Sequence, residues 1–254
     1  MNRIIIAVTA ALLGVVCNPA AADEHESAAT FSPVEAFTCN YNDDMGPDDL
    51  DEVIEDWNEF LDDEGVTTYW ASTLVPYYYG AESFDFGWLG AWQTGAAMGE
   101  GTDMWLAKGR EFERRFDEVA TCDTHVNFAA TMIKKPASEA SPDNFVLLFS
   151  DCNVHDGVDF GNVMEATGAW AAYQAEAGYE NGTWMMFAAF GGGDAEYDFK
   201  LVDAFDNFAA VGRMYDLYGN GRGFEKHGEL VGELYECDES RVYLATVRRR
   251  MPEE

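Results

Sequence analysis

The rarest residues of this chain recur at a nearly fixed interval, and that repetition limits its fold more than any other feature. Cys39 and Cys152 lie 113 residues apart, and Cys122 and Cys237 lie 115 apart. Trp57 and Trp170 share the 113 interval, as do Gly65 and Gly178, while Trp70 and Trp184 are separated by 114. Phe84-Asp85-Phe86 matches Tyr197-Asp198-Phe199, Cys39-Asn40 matches Cys152-Asn153, and Pro136 matches Pro252 at 116. An interval that drifts in one direction is what small loop insertions leave in a duplicated unit. Two homologous units are therefore expected, 35–136 and 144–252. A linker of small and polar residues, 137–143, joins them, and a segment 23–34 precedes the first.

Residues 1–22 read as a secretory signal. Arg3 supplies the positive start, Ile4 to Val16 the apolar run, and Ala20-Ala21-Ala22 the small residues of a cleavage site. The apolar run is too short for a transmembrane helix, and Asn18-Pro19 ends it. A lipoprotein signal at Cys17 is the alternative, but the preceding Val16 is not a small residue. A periplasmic or secreted protein with no membrane span after signal removal is expected. In such a compartment the four remaining cysteines can pair in three ways.

Both units read in the same order. A short apolar strand (Val34 to Asn40, or Phe145 to Asn153) precedes a helix. In the first helix Leu50, Val53, Ile54, Trp57, Phe60 and Leu61 recur at three- and four-residue steps, so they share one face. Pro47 suits its first turn and Gly65 its stop; the partner helix stops at Gly178. Two strands follow, Thr67 to Tyr79 and then the period-two set Phe84, Phe86, Trp88 and Trp92. Unit one continues with one helix carrying Trp105, Phe112, Phe116 and Val119. Its counterpart is expected in two pieces, broken at Gly219-Asn220-Gly221. The last strands are Val126 to Lys134 and Val242 to Arg250. This order is the ferredoxin-like split unit, so the fold class is α+β, with two tandem βαββαβ units. In that topology the end of the first strand lies beside the start of the last. Cys39 and Cys122 occupy those places, as do Cys152 and Cys237. Disulfides Cys39–Cys122 and Cys152–Cys237 are expected, with free buried thiols as the alternative.

Element order, duplication and the aromatic third strand resemble the dimeric α/β-barrel superfamily in fused form. Its members include antibiotic-biosynthesis-monooxygenase-like and NIPSNAP-like domains. The resemblance spans nearly all of the mature chain. It implies two sheets closed into one barrel with helices outside, either as a monomer with an internal pseudo-two-fold or as a homo-oligomer. It implies no single activity, since cofactor-free oxygenases, isomerases and haem enzymes share the fold.

The charge narrows the partners. Asp and Glu total 47 against 15 Lys and Arg, a formal charge of −32, which repels phosphate backbones and excludes nucleic acid as a general partner. Hydrophobic residues make up 48% of the chain, enough for a core. Trp70, Tyr78, Trp88 and Trp92 crowd the middle strands of unit one and are the candidate lining for a small apolar or aromatic molecule. An enzyme resembling the cofactor-independent monooxygenases or isomerases needs polar groups aimed into such a cavity, and His125, Asn127 and Tyr78 are the candidates. An interaction or assembly protein without a small ligand is the third reading. No cofactor is predicted. The resemblance leaves haem as an alternative, with His227 on the last helix as the axial ligand. The new amino terminus Asp23-Glu24-His25 could wrap Cu(II) in a square plane. The acidic runs from Asp43 to Glu64 fail the calcium-loop pattern, because Met45 stands where glycine is needed and Asp51 where glutamate is. The Gly219 to Gly223 stretch lacks the Lys-Ser/Thr ending of a phosphate loop and reads as a helix break.

Overall fold

Alternating apolar residues build nine strands, which a computed structural model describes together with six helices over residues 30–81, 84–138, 142–193 and 195–252. In unit one these are β1 (Ser32–Tyr41), α1 (Pro47–Asp63), β2 (Tyr69–Tyr78), β3 (Phe86–Trp92), α2 (Gly95–Lys108), α3 (Arg110–Val119) and β4 (Ala120–Lys134). Unit two has β5 (Asn144–Val154), α4 (Phe160–Ala177), β6 (Gly182–Phe190), β7 (Phe199–Phe205), α5 (Phe208–Gly219), α6 (Gly223–Val231), β8 (Tyr235–Cys237) and β9 (Arg241–Arg249). The expected signal segment and the centre of the linker lie outside the described residues.

The helix that periodicity marks most strongly forms as expected. Leu50, Val53, Ile54, Trp57 and Leu61 of α1 are buried on one face. The Gly46 amide donates to the Asp49 carboxylate (2.8 Å), and Pro47 takes a first-turn position whose amide would have no partner. Gly65 (φ +72°) and Gly178 (φ +87°) end α1 and α4 in the left-handed region. The second helix of unit one departs from the expectation of a single piece: α2 and α3 meet at Gly109. The Trp105 ring folds back over the chain there, and a Cβ at 109 would lie 2.3 Å from its Cε3. The break therefore comes from side-chain packing, which helical periodicity does not register. In unit two the break between α5 and α6 falls in the Gly219–Gly223 stretch, with Arg222 left-handed (φ +62°).

Each unit has the sheet order of the split βαββαβ motif, β4-β1-β3-β2 and β9-β5-β7-β6. The units join edge to edge, with β2 antiparallel to β9 and β4 antiparallel to β6, closing an eight-stranded barrel. The last strand of unit one starts six residues earlier than its sequence pattern and runs unbroken. Its counterpart is interrupted at 238–240 into β8 and β9. Cys39 faces Cys122, Cys152 faces Cys237, and both pairs are disulfide-bonded. Val34, Leu74, Leu89, Phe128, Leu147, Met186, Val202 and Tyr243, one from each barrel strand, fill the interior. An eight-stranded barrel is just wide enough for its side chains to do this. Outside it, α1, α2 and α3 pack on unit one, while α4 and α6 pack on unit two, each burying its own aromatic layer.

Two buried cations tie the units together. Lys134 ends β4, is 7% exposed, and donates to the Tyr179 carbonyl (3.0 Å), the Asn181 carbonyl and Asn181 Oδ1 (3.4 Å). Asp203 lies nearby, accepting from Asn181 Nδ2 (2.8 Å) and the Thr183 hydroxyl (2.6 Å). Arg249 ends β9, 115 residues later. It is 8% exposed and donates to Asp62 Oδ1 (2.9 Å), Asn58 Oδ1 (3.1 Å) and the Val66 carbonyl. Each unit's last strand thus carries a cation to the C-terminal end of the other unit's first helix, the end that carries partial negative charge.

Candidate functional site

Strand alternation separates the four aromatic residues proposed to share a pocket. Trp70 on β2 pairs with Ala91 and faces the barrel side, 6.1 Å from the Phe145 ring. Trp88 and Trp92 on β3 point the other way, into the layer beneath the helices. Trp88 lies 5.3 Å from Trp57, and Trp92 lies 4.4 Å from Tyr69. Tyr78 lies at the end of β2, on the surface. The single lining expected from Trp70, Tyr78, Trp88 and Trp92 is corrected to three separate places, because neighbouring strand positions face opposite sides of the sheet. Trp70 and Phe145 line a small cleft of about 160 Å³ closed by Pro136 and Pro142.

His125 and Asn127 lie on the outer face of β4, flanking β1. The His125 ring stacks on Phe37 (3.9 Å between centroids), and its Nε2 lies 3.3 Å from Glu35 Oε2. The Tyr69 hydroxyl donates to Glu35 Oε1 (2.6 Å), and Trp88 Nε1 donates to the Tyr69 oxygen (3.0 Å). Burial, reinforced by the Glu35 charge, holds the Tyr69 phenol well above its usual range. A Cβ at Gly90 would lie 2.0 Å from the Tyr69 oxygen, so glycine there makes the close approach feasible. Asn127 Nδ2 contacts Met98 Sδ (3.5 Å) instead of joining this string. Sequence reasoning missed Glu35 and Tyr69; the signal was a lone carboxylate inside an apolar strand. The string runs from the buried Tyr69 out to His125, whose side chain is 60% exposed, and none of its members lines either cleft.

Tyr78 instead belongs to the larger of the two clefts. This opening, about 480 Å³, lies at one end of the β2–β9 seam. Tyr78, Tyr79, Gly80 and Ala81 form one wall, and Asp238, Glu239, Ser240 and Arg241 form the other. Tyr78 is 62% exposed and Tyr79 55%. Tyr77 backs them, 4.7 Å from both Tyr78 and Phe208. Arg241 binds Asp151 (3.3 Å) and Asp238 (3.2 Å), which holds the segment that interrupts the last strand. At the pseudo-equivalent β4–β6 seam, Gly191 (φ +78°) lies directly on β4, where a Cβ would come within 2.5 Å of the His125 carbonyl oxygen. The two ends of the pseudo-two-fold therefore differ. The interruption at 238–240 and the three tyrosines belong to one seam alone.

The His227 ring on α6 meets Trp170 edge-on at 5.0 Å and lies 6.0 Å from Tyr218. It lines neither of these two clefts. Burial pushes its pKa below 6.5. The unfolded chain then binds the proton first, so the neutral imidazole's contribution is full above about pH 6.5 and is lost as pH falls through the lower folded-state value. His227→Phe is expected to flatten that part of the dependence, measured as the difference in melting temperature between neutral and mildly acidic buffer. An unchanged difference would sink this account.

No group of three or more metal-ligating side chains occurs among the described residues, and Asp23-Glu24-His25 lies outside them. No family model and no curated protein matches the chain. Solved structures match over most of its length. A provisionally named monooxygenase from Fusobacterium nucleatum superposes with a TM-score of 0.55 at 8% identity, covering 87% of this chain and 94% of its own. An anthrone oxidase-like protein gives 0.51 at 12% identity, with 87% and 95% covered. A variant chlorite dismutase from Candidatus Nitrospira defluvii gives 0.51 at 9% identity, with 85% and 91% covered. These likenesses show the fold, a dimeric α/β barrel made of fused ferredoxin-like units.

Proposed function

We propose that this chain is an exported binding protein that takes a small apolar or aromatic molecule in the open cleft of Tyr78 and Tyr79. One observation carries the reading: two largely exposed tyrosines and a run of polar residues line the same opening of about 480 Å³. Small-molecule sites generally span roughly 300–1,000 Å³ and combine aromatic surface with a few placed polar groups. The barrel interior is filled from all eight strands, which argues against an enclosed pocket there. The string Trp88–Tyr69–Glu35–His125 does not line this cleft, so His125, named for the enzyme reading, stands apart from the place where a ligand fits. Export is supported by the signal-like start and by two disulfides, which persist in oxidising compartments. No described helix is long and apolar enough to cross a membrane. The barrel closes within one chain, which fits a monomer with its own pseudo-two-fold.

The test is a panel of small aromatic probes titrated by ligand-observed NMR against the mature protein and its Tyr78→Ala variant. Aromatic anchors typically carry 1–2 kcal/mol or more, so affinity is expected to fall about tenfold or further in the variant. Equal affinity in both proteins would remove the cleft from consideration.

A further inference from the structure

We infer that the small, largely apolar molecule taken by the tyrosine cleft carries a methylated or quaternary ammonium group; the inference rests on the binding reading above and narrows its ligand class to an organic cation. Three observations converge. The aromatic wall presents Tyr78 and Tyr79, backed by Tyr77. Aromatic faces carry negative potential, and a cation near a ring centroid gains roughly 0.5–1 kcal/mol at an exposed site, more when water is excluded. Among the other lining residues Asp238 pairs with Arg241 and accepts from the Asp151 amide, which leaves Glu239 as the exposed carboxylate. The chain as a whole carries −32, which raises the local concentration of cations and opposes anions.

The chemistry narrows further. A hard divalent metal needs six or more oxygen ligands, and no cluster of three ligating side chains occurs among the described residues. A primary ammonium is a compact, strongly hydrated charge that is costly to bring against ring faces. A methylated ammonium spreads its charge over apolar methyl groups, which suits an opening lined by two exposed tyrosines and an exposed carboxylate.

The experiment compares choline with its neutral isostere, 3,3-dimethylbutan-1-ol, by saturation-transfer NMR and calorimetry on the mature protein. Choline is expected to bind at least about fivefold more tightly than the isostere, which corresponds to roughly 1 kcal/mol. Tyr78→Ala and Tyr79→Ala should each weaken choline severalfold, and added salt should weaken it in parallel with Glu239→Gln. Circular dichroism and melting temperature of the tyrosine variants, whose side chains are exposed, confirm that they fold. If the isostere matches choline, or indole binds through Tyr78 while choline does not, the cation inference is overturned and the binding reading stands. If choline binds equally to the double tyrosine variant, its site is elsewhere and the inference is overturned. If neither choline nor any aromatic probe responds to Tyr78, both readings are overturned.

Discussion

Replacing Cys152 and Cys237 together by serine is expected to cost about 2–5 kcal/mol of folding stability. The bond closes a separation of 85 residues, and Cys152 is fully buried. Chain entropy alone makes the two disulfides nearly equal, because the other closes 83 residues. The native structure makes them unequal. Cys122 sits inside the fifteen-residue β4, which pairs with β1 over 120–130 and continues without a break onto β6 from Asn127. Cys237 ends β8, three residues long, followed by the interruption at 238–240. Without the bond, β8 keeps three ladder pairs with β5, the buried Tyr235 ring and the hydrogen bonds between Asp151 and Asp238 to hold its register. The unit-two variant should therefore lose more stability than Cys39→Ser/Cys122→Ser, and it should also distort the tyrosine cleft, one wall of which starts at Asp238. Urea midpoints of the two double variants test this; a larger loss in unit one would contradict it.

Lys134→Met is expected to destabilise the chain by about 1–3 kcal/mol, the usual cost of leaving buried acceptors without their donor. Methionine matches the stem of lysine but not its donors. The carbonyls of Tyr179 and Asn181 would lose their ammonium, and Asp203 would lose its cation. Burial already pushes the Asp203 carboxyl above its usual range, against the hydrogen bonds from Thr183 and Asn181 that favour its charge. Adding Asp203→Asn should therefore recover part of the loss, leaving a coupling energy of about 1 kcal/mol or more in a double-mutant cycle. Additive losses in the double variant would show that Lys134 acts only through the carbonyls. Because Lys134 lies in unit one and its acceptors in unit two, the single variant should also reduce the cooperativity with which the two units unfold.

Much of this architecture was readable in one dimension because it rests on local periodicity and rare residues. The α1 face follows from Leu50, Val53, Ile54, Trp57 and Leu61 at helical spacing, and the stops follow from Gly65 and Gly178, which tolerate a left-handed backbone. The disulfides follow from cysteine spacing combined with a topology that sets the end of each first strand beside the start of the last. The candidate site was less readable. Trp70, Trp88 and Trp92 are close in sequence, but strand alternation sends them to opposite faces, and whether those faces hold a pocket depends on how eight strands close. The clamp of Lys134 and Arg249 repeats at the same interval as Cys122 and Cys237, so its signal was present. Its meaning required knowing that each last strand pairs with the other unit.

Duplication, cysteine interval and hydrophobic period are properties of the chain itself, and they sufficed for two βαββαβ units, each closed by its own disulfide. The joining of those units was settled in three dimensions. An open sheet has two edges with unpaired amides and carbonyls, and β2, β4, β6 and β9 satisfy theirs only by meeting across the pseudo-two-fold. That closure filled the barrel, moved the tryptophans into separate packed layers, and left Tyr78 and Tyr79 facing Asp238 and Glu239, residues some 160 positions away that no local pattern connects.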